Sequence, residues 1–286
     1  MKTLTLSSPA KLNVFLRVLF KRPDGFHEIK TVFERINLSD TLQFSESSSD
    51  QITILCDHPQ VPTGPANLIF KAATALRAKS GCSKGAVIRL DKRIPVAAGL
   101  AGGSSNAASA LVGLNRLWGL KLSRAELLAI AGDLGSDISF FLHQCSWALG
   151  QGRGEQIEKL DVFAKYWHVL VTPRRAMRAP DVYGAMDLKA LTNKKVDDNI
   201  LIHSLQEKHI YNIRLSLLND LEYGILAIAP DLKKAVDRMK SIGVQGVLFS
   251  GSGPSLFGLA ESRREAEHWA QQLRRHYRQV FVVKTL

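Results

Sequence analysis

A chain of 286 residues with 38 Lys and Arg against 26 Asp and Glu carries a formal net charge of +12 at pH 7, and 45% of its residues are hydrophobic. That is ample apolar material for a core, so disordered and fibrous classes are excluded, and the length suits one large domain or two modest ones. No stretch approaches the roughly 18 uncharged apolar residues of a membrane span, and the opening MKTLTLSSPAK lacks the apolar segment of a secretory signal, so the expected compartment is the cytoplasm.

The first third reads as short strands, at 4–8, 12–18, 31–36, 41–44 and 51–56, with turns marked by Pro23-Asp24-Gly25 and Ser39-Asp40. A helix is predicted over 67–80, stopped by Gly81, then a strand over 85–90, a glycine-dense loop and a helix over 104–118. Ala107, Ala110, Leu111, Leu114 and Trp118 share one face of that helix. The string Ser123-Arg124-Ala125-Glu126 is a capping box that opens a third helix, ending near 132–135. After Gly150-Gln151-Gly152-Arg153-Gly154 the texture changes, and a domain boundary is expected around 150–165. Following a strand over 167–171, periodic signal is weak until about Ile213. The last segment reads as helix 230–242, strands 246–250 and 255–259, helix 263–276 and strand 279–284. That order is most of a ferredoxin-like split βαβ unit. The fold class expected is therefore α+β with two domains, 1–160 and 161–286.

No repeat of 20 to 50 residues is present. Cys56, Cys82 and Cys145 are odd in number and far apart, without a CxxC pair, so neither a disulfide framework nor a zinc site is expected. The positive charge is spread over short clusters, Lys21-Arg22, Arg174-Arg175, Lys194-Lys195, Arg263-Arg264 and Arg274-Arg275, which read as solvated surface. A nucleic-acid binder is the alternative that charge alone admits.

The most informative segment runs Pro95-Val96-Ala97-Ala98-Gly99-Leu100-Ala101-Gly102-Gly103-Ser104-Ser105-Asn106, joining a strand to an Ala-rich helix. Its glycines let a ligand approach the backbone, and the helix start offers unpaired N–H groups, the positive end of the dipole and serine hydroxyls. This is the chemistry of a phosphate cradle. It is not a Walker A loop or a dinucleotide fingerprint, and an ordinary Gly/Ser helix cap would look the same.

Two further segments, Ser8-Pro9-Ala10-Lys11-Leu12-Asn13 and Phe249-Ser250-Gly251-Ser252-Gly253-Pro254-Ser255, complete a set of three. In order and position this set resembles the signature motifs of the GHMP kinase superfamily, and the resemblance covers essentially the whole chain. It implies an N-terminal domain like one of ribosomal protein S5 and a C-terminal ferredoxin-like domain. The strings Arg22-Pro23-Asp24-Gly25-Phe26-His27-Glu28, AGLAGGSSNAA, LGSDISFFL and Asn219-Asp220-Leu221-Glu222 resemble one branch of it, and imply phosphorylation of the 2-hydroxyl of a CDP-linked methylerythritol by MgATP.

By position, the resemblance makes Lys11 and Asp137 catalytic. Asp137 would accept the proton of the attacking hydroxyl, while Lys11 would orient it and stabilise charge on the transferring phosphoryl. ATP is expected on Pro95, Val96, Ala97, Ala98, Gly99, Leu100, Ala101, Gly102, Gly103, Ser104 and Ser105, with Lys92 upstream and Asn67 and Leu68 lining the adenine pocket. Ser105 is the candidate to touch Mg²⁺. For the acceptor, Asn13, His27 and Asp137 supply polar contacts, and Phe26 and Tyr183 match rings that sandwich the cytosine. Since a ring face carries no base identity, cytosine must be chosen by hydrogen bonds, with His27 as a source.

Three positions depart from the family pattern. Ala101 replaces the usual Gly, so its Cβ is tolerated at positive φ or φ is ordinary there; Phe26 replaces the commoner Tyr; Ala179 replaces Thr. Two other readings remain open: a different small-molecule kinase of the same superfamily, and a basic RNA-binding protein sharing the N-terminal fold. The expected partners are the CDP-linked substrate and ATP, with no nucleic acid, membrane or obligate protein partner.

Overall fold

Residues 3–186 and 196–286 are described by the structure, a computed structural model; the Lys194-Lys195 cluster lies outside them. The four short strands expected at the start are two long ones, β1 (Thr3–Lys21) and β2 (His27–Glu46), paired antiparallel along their length. The polar residues Ser8, Lys11, Asn13 and Asp40 are strand residues with buried partners, so Asp40 is not the turn marker expected. The register of β1 against β2 shifts between Pro9 and Lys11, Asn13 and Phe15, and Val18 and Phe20. Such bulges bend the strand and re-aim side chains.

The chain continues through β3 (Ile52–Leu55), α1 (Leu68–Ser80) and β4 (Ala86–Asp91). Asn67 caps α1, accepting from Ile69 N at 2.8 Å, and Gly81 ends it at φ 69°. Helix α2 (Gly102–Trp118) begins two residues earlier than expected, and α3 (Arg124–Leu134) opens on the reciprocal Ser123–Glu126 capping box. Unanticipated elements follow: α4 (Ser136–His143), β5 (Trp147–Gln151) and β6 (Gln156–Lys159). After β7 (Trp167–Val171) come α5 (Ala179–Gly184), α6 (Asp198–Gln206), α7 (Ile210–Ser216), the two-residue β8 (Leu218–Asn219) and α8 (Glu222–Ile228). The helix expected from Pro230 is a 3-10 turn (Pro230–Leu232) running into α9 (Lys233–Ser241). Then come β9 (Leu248–Phe249), β10 (Leu256–Ala260), α10 (Arg263–Leu273) and β11 (Val280–Lys284).

Among the described residues the strands form two sheets. The larger has the order β3-β4-β2-β1-β8, with β5 also on β2 and β6 on β5; the smaller is antiparallel β11-β7-β10-β9, the order of a ferredoxin-like unit. Helices α1 to α4 cover the large sheet, and the α2 face holding Ala107, Ala110, Leu111, Leu114 and Trp118 is buried. Each leucine so placed contributes about 1.5–3 kcal/mol. Gly113 permits that close approach, since a Cβ there would stand 2.6 Å from the Phe44 ring. A second core joins the two sheets through Phe15, Ile36, Trp147, Leu170 and Phe257, and a third packs Met239, Trp269 and Leu273 under the small sheet. The sheets are also tied by the buried pair Glu34–His168, 2.9 Å apart, with Thr285 donating to Glu34. No helix among the described residues is long and apolar enough to cross a membrane.

Candidate active site

A cavity of about 540 Å³ opens where the N-terminus of α2, the start of α4 and the C-terminal glycine loop converge. Lys11 and Asn13 lie two apart on β1, hence on one face of the strand, and a bulge on either side of the pair sets their direction. The Lys11 ammonium is 3.4 Å from Asp137 Oδ2 and donates to Asn13 Oδ1 at 2.5 Å. The Asn13 amide donates to Thr31 Oγ1 at 2.8 Å, and that hydroxyl donates to the Phe15 carbonyl at 2.6 Å. Lys11 is thus held by two buried side chains in series, Asn13 and Thr31, while Asp137 stays partly open, at 32% exposure. Asp137 sits in the first turn of α4, where the helix dipole favours an anion.

The segment 95–101 is anchored by its carbonyls. The backbone N–H groups of Met177, Ser255 and Lys11 donate to Ala97 O, Ala98 O and Leu100 O, and the Ser250 hydroxyl donates to Gly99 O. With the carbonyls so engaged, the N–H groups opening α2 at Gly102, Gly103 and Ser104 are left for an anion. Gly99, at φ 74°, is required, because a Cβ would stand 2.0 Å from Ser250 O. Ala101 has φ 53° and is the N-cap of α2, so the loop accepts a Cβ in the left-handed region.

Of the residues expected at ATP, the cavity wall carries Asn67, Leu68, Lys92, Pro95, Val96, Ala97, Ala98, Gly99, Ala101, Gly102, Gly103 and Ser104. Leu100 and Ser105 stand behind it. Ser105 is fully buried and its hydroxyl accepts from Ser8 at 2.8 Å, so the exposed hydroxyl at the helix start belongs to Ser104. The Asn67 side chain is occupied by the α1 cap and by donation to Pro62 O. Lys92 is fixed to Asp40 at 2.5 Å, and Asp40 also accepts from Arg93 N, Ile94 N and the Asn106 amide. One fully buried carboxylate therefore splints the strand before the loop to the helix after it.

On the acceptor side, Asn13, Asp137, Tyr183 and Ala179 line the cavity. The Tyr183 ring stacks on His27, with centroids 4.9 Å apart and planes 20° apart. Phe26 and His27 are not among the residues that line the cavity; Phe26 is 52% exposed, and its ring is covered by the Arg153 guanidinium at 4.9 Å. Each aromatic partner expected at the base thus already has one face in contact, Tyr183 with His27 and Phe26 with Arg153. Burial, and after it the Asp137 carboxylate, push the Tyr183 phenol up, so it remains protonated. Burial, assisted by Lys21, pushes His27 below the usual histidine range, and its ring is neutral near pH 7.

Four residues of this arrangement carried no role in the sequence reading. The Asn219 amide donates to Phe249 O and Gly251 O at 2.8 Å each, holding the glycine loop against β8; the motif Asn219-Asp220-Leu221-Glu222 was its signal. Asp40 was read as a turn residue. Thr31 and Arg153 had no signal beyond the glycines flanking the latter.

Family models match the chain twice: GHMP kinases N terminal domain at residues 67–144 and GHMP kinases C terminal at residues 201–279. The 4-diphosphocytidyl-2-C-methyl-D-erythritol kinase of Exiguobacterium sibiricum is 39% identical over 284 residues, covering 99% of this chain and 98% of the relative. That of Brevibacillus brevis is 38% identical over 283 residues, covering 99% and 96%. A crystal structure of 4-(cytidine 5'-diphospho)-2C-methyl-D-erythritol kinase superposes with a TM-score of 0.83 at 32% identity, covering 98% of each chain. Homoserine kinase from Cytophaga hutchinsonii, 19% identical with a TM-score of 0.73 and covering 99% of this chain and 94% of its own, shares the fold.

Proposed function

The chain belongs to the GHMP kinase family, within its 4-diphosphocytidyl-2-C-methyl-D-erythritol kinase branch, and we propose that it transfers the γ-phosphoryl group of MgATP to the 2-hydroxyl of 4-diphosphocytidyl-2-C-methyl-D-erythritol. The observation that carries this reading is the Lys11–Asp137 pair, 3.4 Å apart, on the wall of the same cavity as the open N-terminus of α2. A carboxylate that can take a proton, a cation beside it and a phosphate cradle are what in-line phosphoryl transfer requires.

In this reading the triphosphate rests on the N–H groups of Gly102, Gly103 and Ser104, with Lys92 beside the helix start and Asn67 and Leu68 toward the adenine. The acceptor hydroxyl lies against Asp137. Its oxygen forms the new bond to the γ-phosphorus, the bond from that phosphorus to the β–γ bridging oxygen breaks, ADP leaves, and the hydroxyl proton passes to the Asp137 carboxylate. Lys11, held by Asn13, orients that carboxylate and offsets charge on the phosphoryl oxygens. Asn13, His27, Tyr183 and Phe26 form the acceptor pocket. Residues 1–160 and 161–286 act as two domains that share the cavity.

Mg²⁺ enters with ATP. Among the described residues no three His, Cys, Asp or Glu side chains cluster as a metal site, and the described wall carries one carboxylate, Asp137, beside neutral oxygen-bearing side chains such as Ser104 at the start of α2. That sparse set suits an ion that keeps its waters and is held chiefly by substrate phosphates. The test is substrate-dependent ADP formation, with the product phosphorylated at the 2-hydroxyl by phosphorus NMR; phosphorylation of homoserine or mevalonate instead would replace this acceptor.

A further inference from the structure

We propose that Arg153, whose guanidinium lies over the Phe26 ring, holds the diphosphate bridge of the acceptor. The proposal rests on the reading of the chain as a kinase of a CDP-linked alcohol and assigns a residue to the part of that substrate not yet accounted for.

Arg153 stands at the centre of the turn between β5 and β6, flanked by Gly152 at φ 71° and Gly154 at φ 100°. The turn is pinned to the acceptor pocket: Gly152 N donates to Glu28 Oε1 at 3.1 Å, and Ile29 N donates to Gly152 O at 2.7 Å. Its position is therefore fixed against the strand that begins at His27. The side chain reaches the cavity wall, which it shares with Asp137 and Tyr183.

Its own carboxylate neighbour does not satisfy it. Glu155 Oε2 accepts from the Arg153 backbone N at 2.6 Å, and Glu155 Oε1 is 3.8 Å from Nε, an ion pair without a hydrogen bond. The guanidinium instead lies 4.9 Å over the exposed Phe26 ring, an interaction easily given up for a better partner at an exposed site. A planar fork of five donors matches phosphate oxygens in pairs. In a CDP-linked alcohol the diphosphate lies between base and alcohol. Arg153 stands in the corresponding place, touching the ring expected at the base and sharing a wall with the carboxylate expected at the hydroxyl. At 29% exposure the side chain can be truncated without stranding a buried charge.

The experiment is calorimetric titration of cytidine and of CDP into wild type, Arg153→Ala and Arg153→Lys, with the nucleotide site filled by a non-hydrolysable ATP analogue. KM for MgATP and for the CDP-linked acceptor is measured in parallel. Wild type should bind CDP more tightly than cytidine by about tenfold or more, the scale of a charge-assisted hydrogen bond. Arg153→Ala should erase that advantage while cytidine affinity holds within about threefold, with Arg153→Lys between; the acceptor KM should rise and the ATP KM stay put. Equal losses for cytidine and CDP would make Arg153 a prop for Phe26 and overturn the proposal, as would no change in either. Wild type that turns over the acceptor while Arg153→Ala keeps its acceptor KM defeats this assignment alone. A wild type that neither binds cytidine nucleotides nor phosphorylates the acceptor defeats the functional reading and this assignment with it.

Discussion

The Lys11 ammonium and the Asp137 carboxylate meet at 3.4 Å, and the third member of the contact, Asn13 Oδ1, receives the shorter bond at 2.5 Å. A lysine tied to a neutral amide on its own strand is aimed by the strand and keeps its charge for the groups in front of it. Asn13→Ala should therefore lower kcat while Lys11 remains in place but loosely directed. Removal of general acid–base assistance costs about 100- to 10,000-fold, and Asp137→Ala belongs in that range. Asn13→Ala should fall well short of it, and steady-state kinetics of both variants checks the order.

The buried Lys92–Asp40 pair leads to a prediction on stability. Asp40 is fully buried and accepts four hydrogen bonds. Breaking a buried pair by removing one partner costs about 3–5 kcal/mol, so Asp40→Ala should lose about that much unfolding free energy, read by urea titration as a lower midpoint at unchanged slope. Asp40→Asn keeps the volume and much of the backbone bonding, and should fold with a smaller loss while raising KM for ATP more than KM for the acceptor.

Two neighbouring loop positions, both in the left-handed region, should differ widely in what a single methyl group costs. Gly99→Ala places a Cβ 2.0 Å from Ser250 O at φ 74°, which should cost more than the roughly 1–2 kcal/mol of left-handed backbone alone. Ala101 already has φ 53°. Ala101→Gly relieves that strain but gains about 0.4–1 kcal/mol of unfolded-state freedom, so its net effect should be within about 1 kcal/mol of zero, on the stabilising side. Thermal unfolding of the two variants measures the contrast.

How much of this was legible in the sequence divides by range. Local signals were reliable: the Gly81 stop, the Ser123–Glu126 box, the apolar face of α2 and the ferredoxin-like order all stand in the structure. Elements defined by distant partners were not. Helix α4 has only Ser136–His143 to declare itself, and strand β8 exists because Leu218 and Asn219 pair with Phe15 and Leu16. Asp40 looked like a turn because its partners, Lys92 and Asn106, lie far along the chain. The resemblance supplied Lys11 and Asp137 as roles; the bulges and the Asn13–Thr31 chain that aim them are tertiary facts.

The His27–Tyr183 stack makes acceptor binding sensitive to acid. The His27 pKa is lowered from the ordinary 6.5, first by burial and then by Lys21. In the folded protein the neutral ring therefore persists to lower pH than in a free histidine, and the ring that stacks on Tyr183 gains its charge only as pH falls through the lowered value. KM for the acceptor should rise as pH is taken below 6.5 toward His27's lowered pKa, and His27→Gln should flatten that rise. A wild-type acceptor KM independent of pH over this window would separate His27 from binding.

The central claim is tested most directly by ADP release from MgATP with and without 4-diphosphocytidyl-2-C-methyl-D-erythritol, in wild type, Lys11→Ala and Asp137→Ala, with nucleotide binding measured on the same preparations. The account predicts acceptor-dependent turnover in wild type that falls by at least about 100-fold in both variants while ATP binding persists. Turnover that survives in Asp137→Ala, or wild type that binds ATP yet releases no acceptor-dependent ADP, would contradict it.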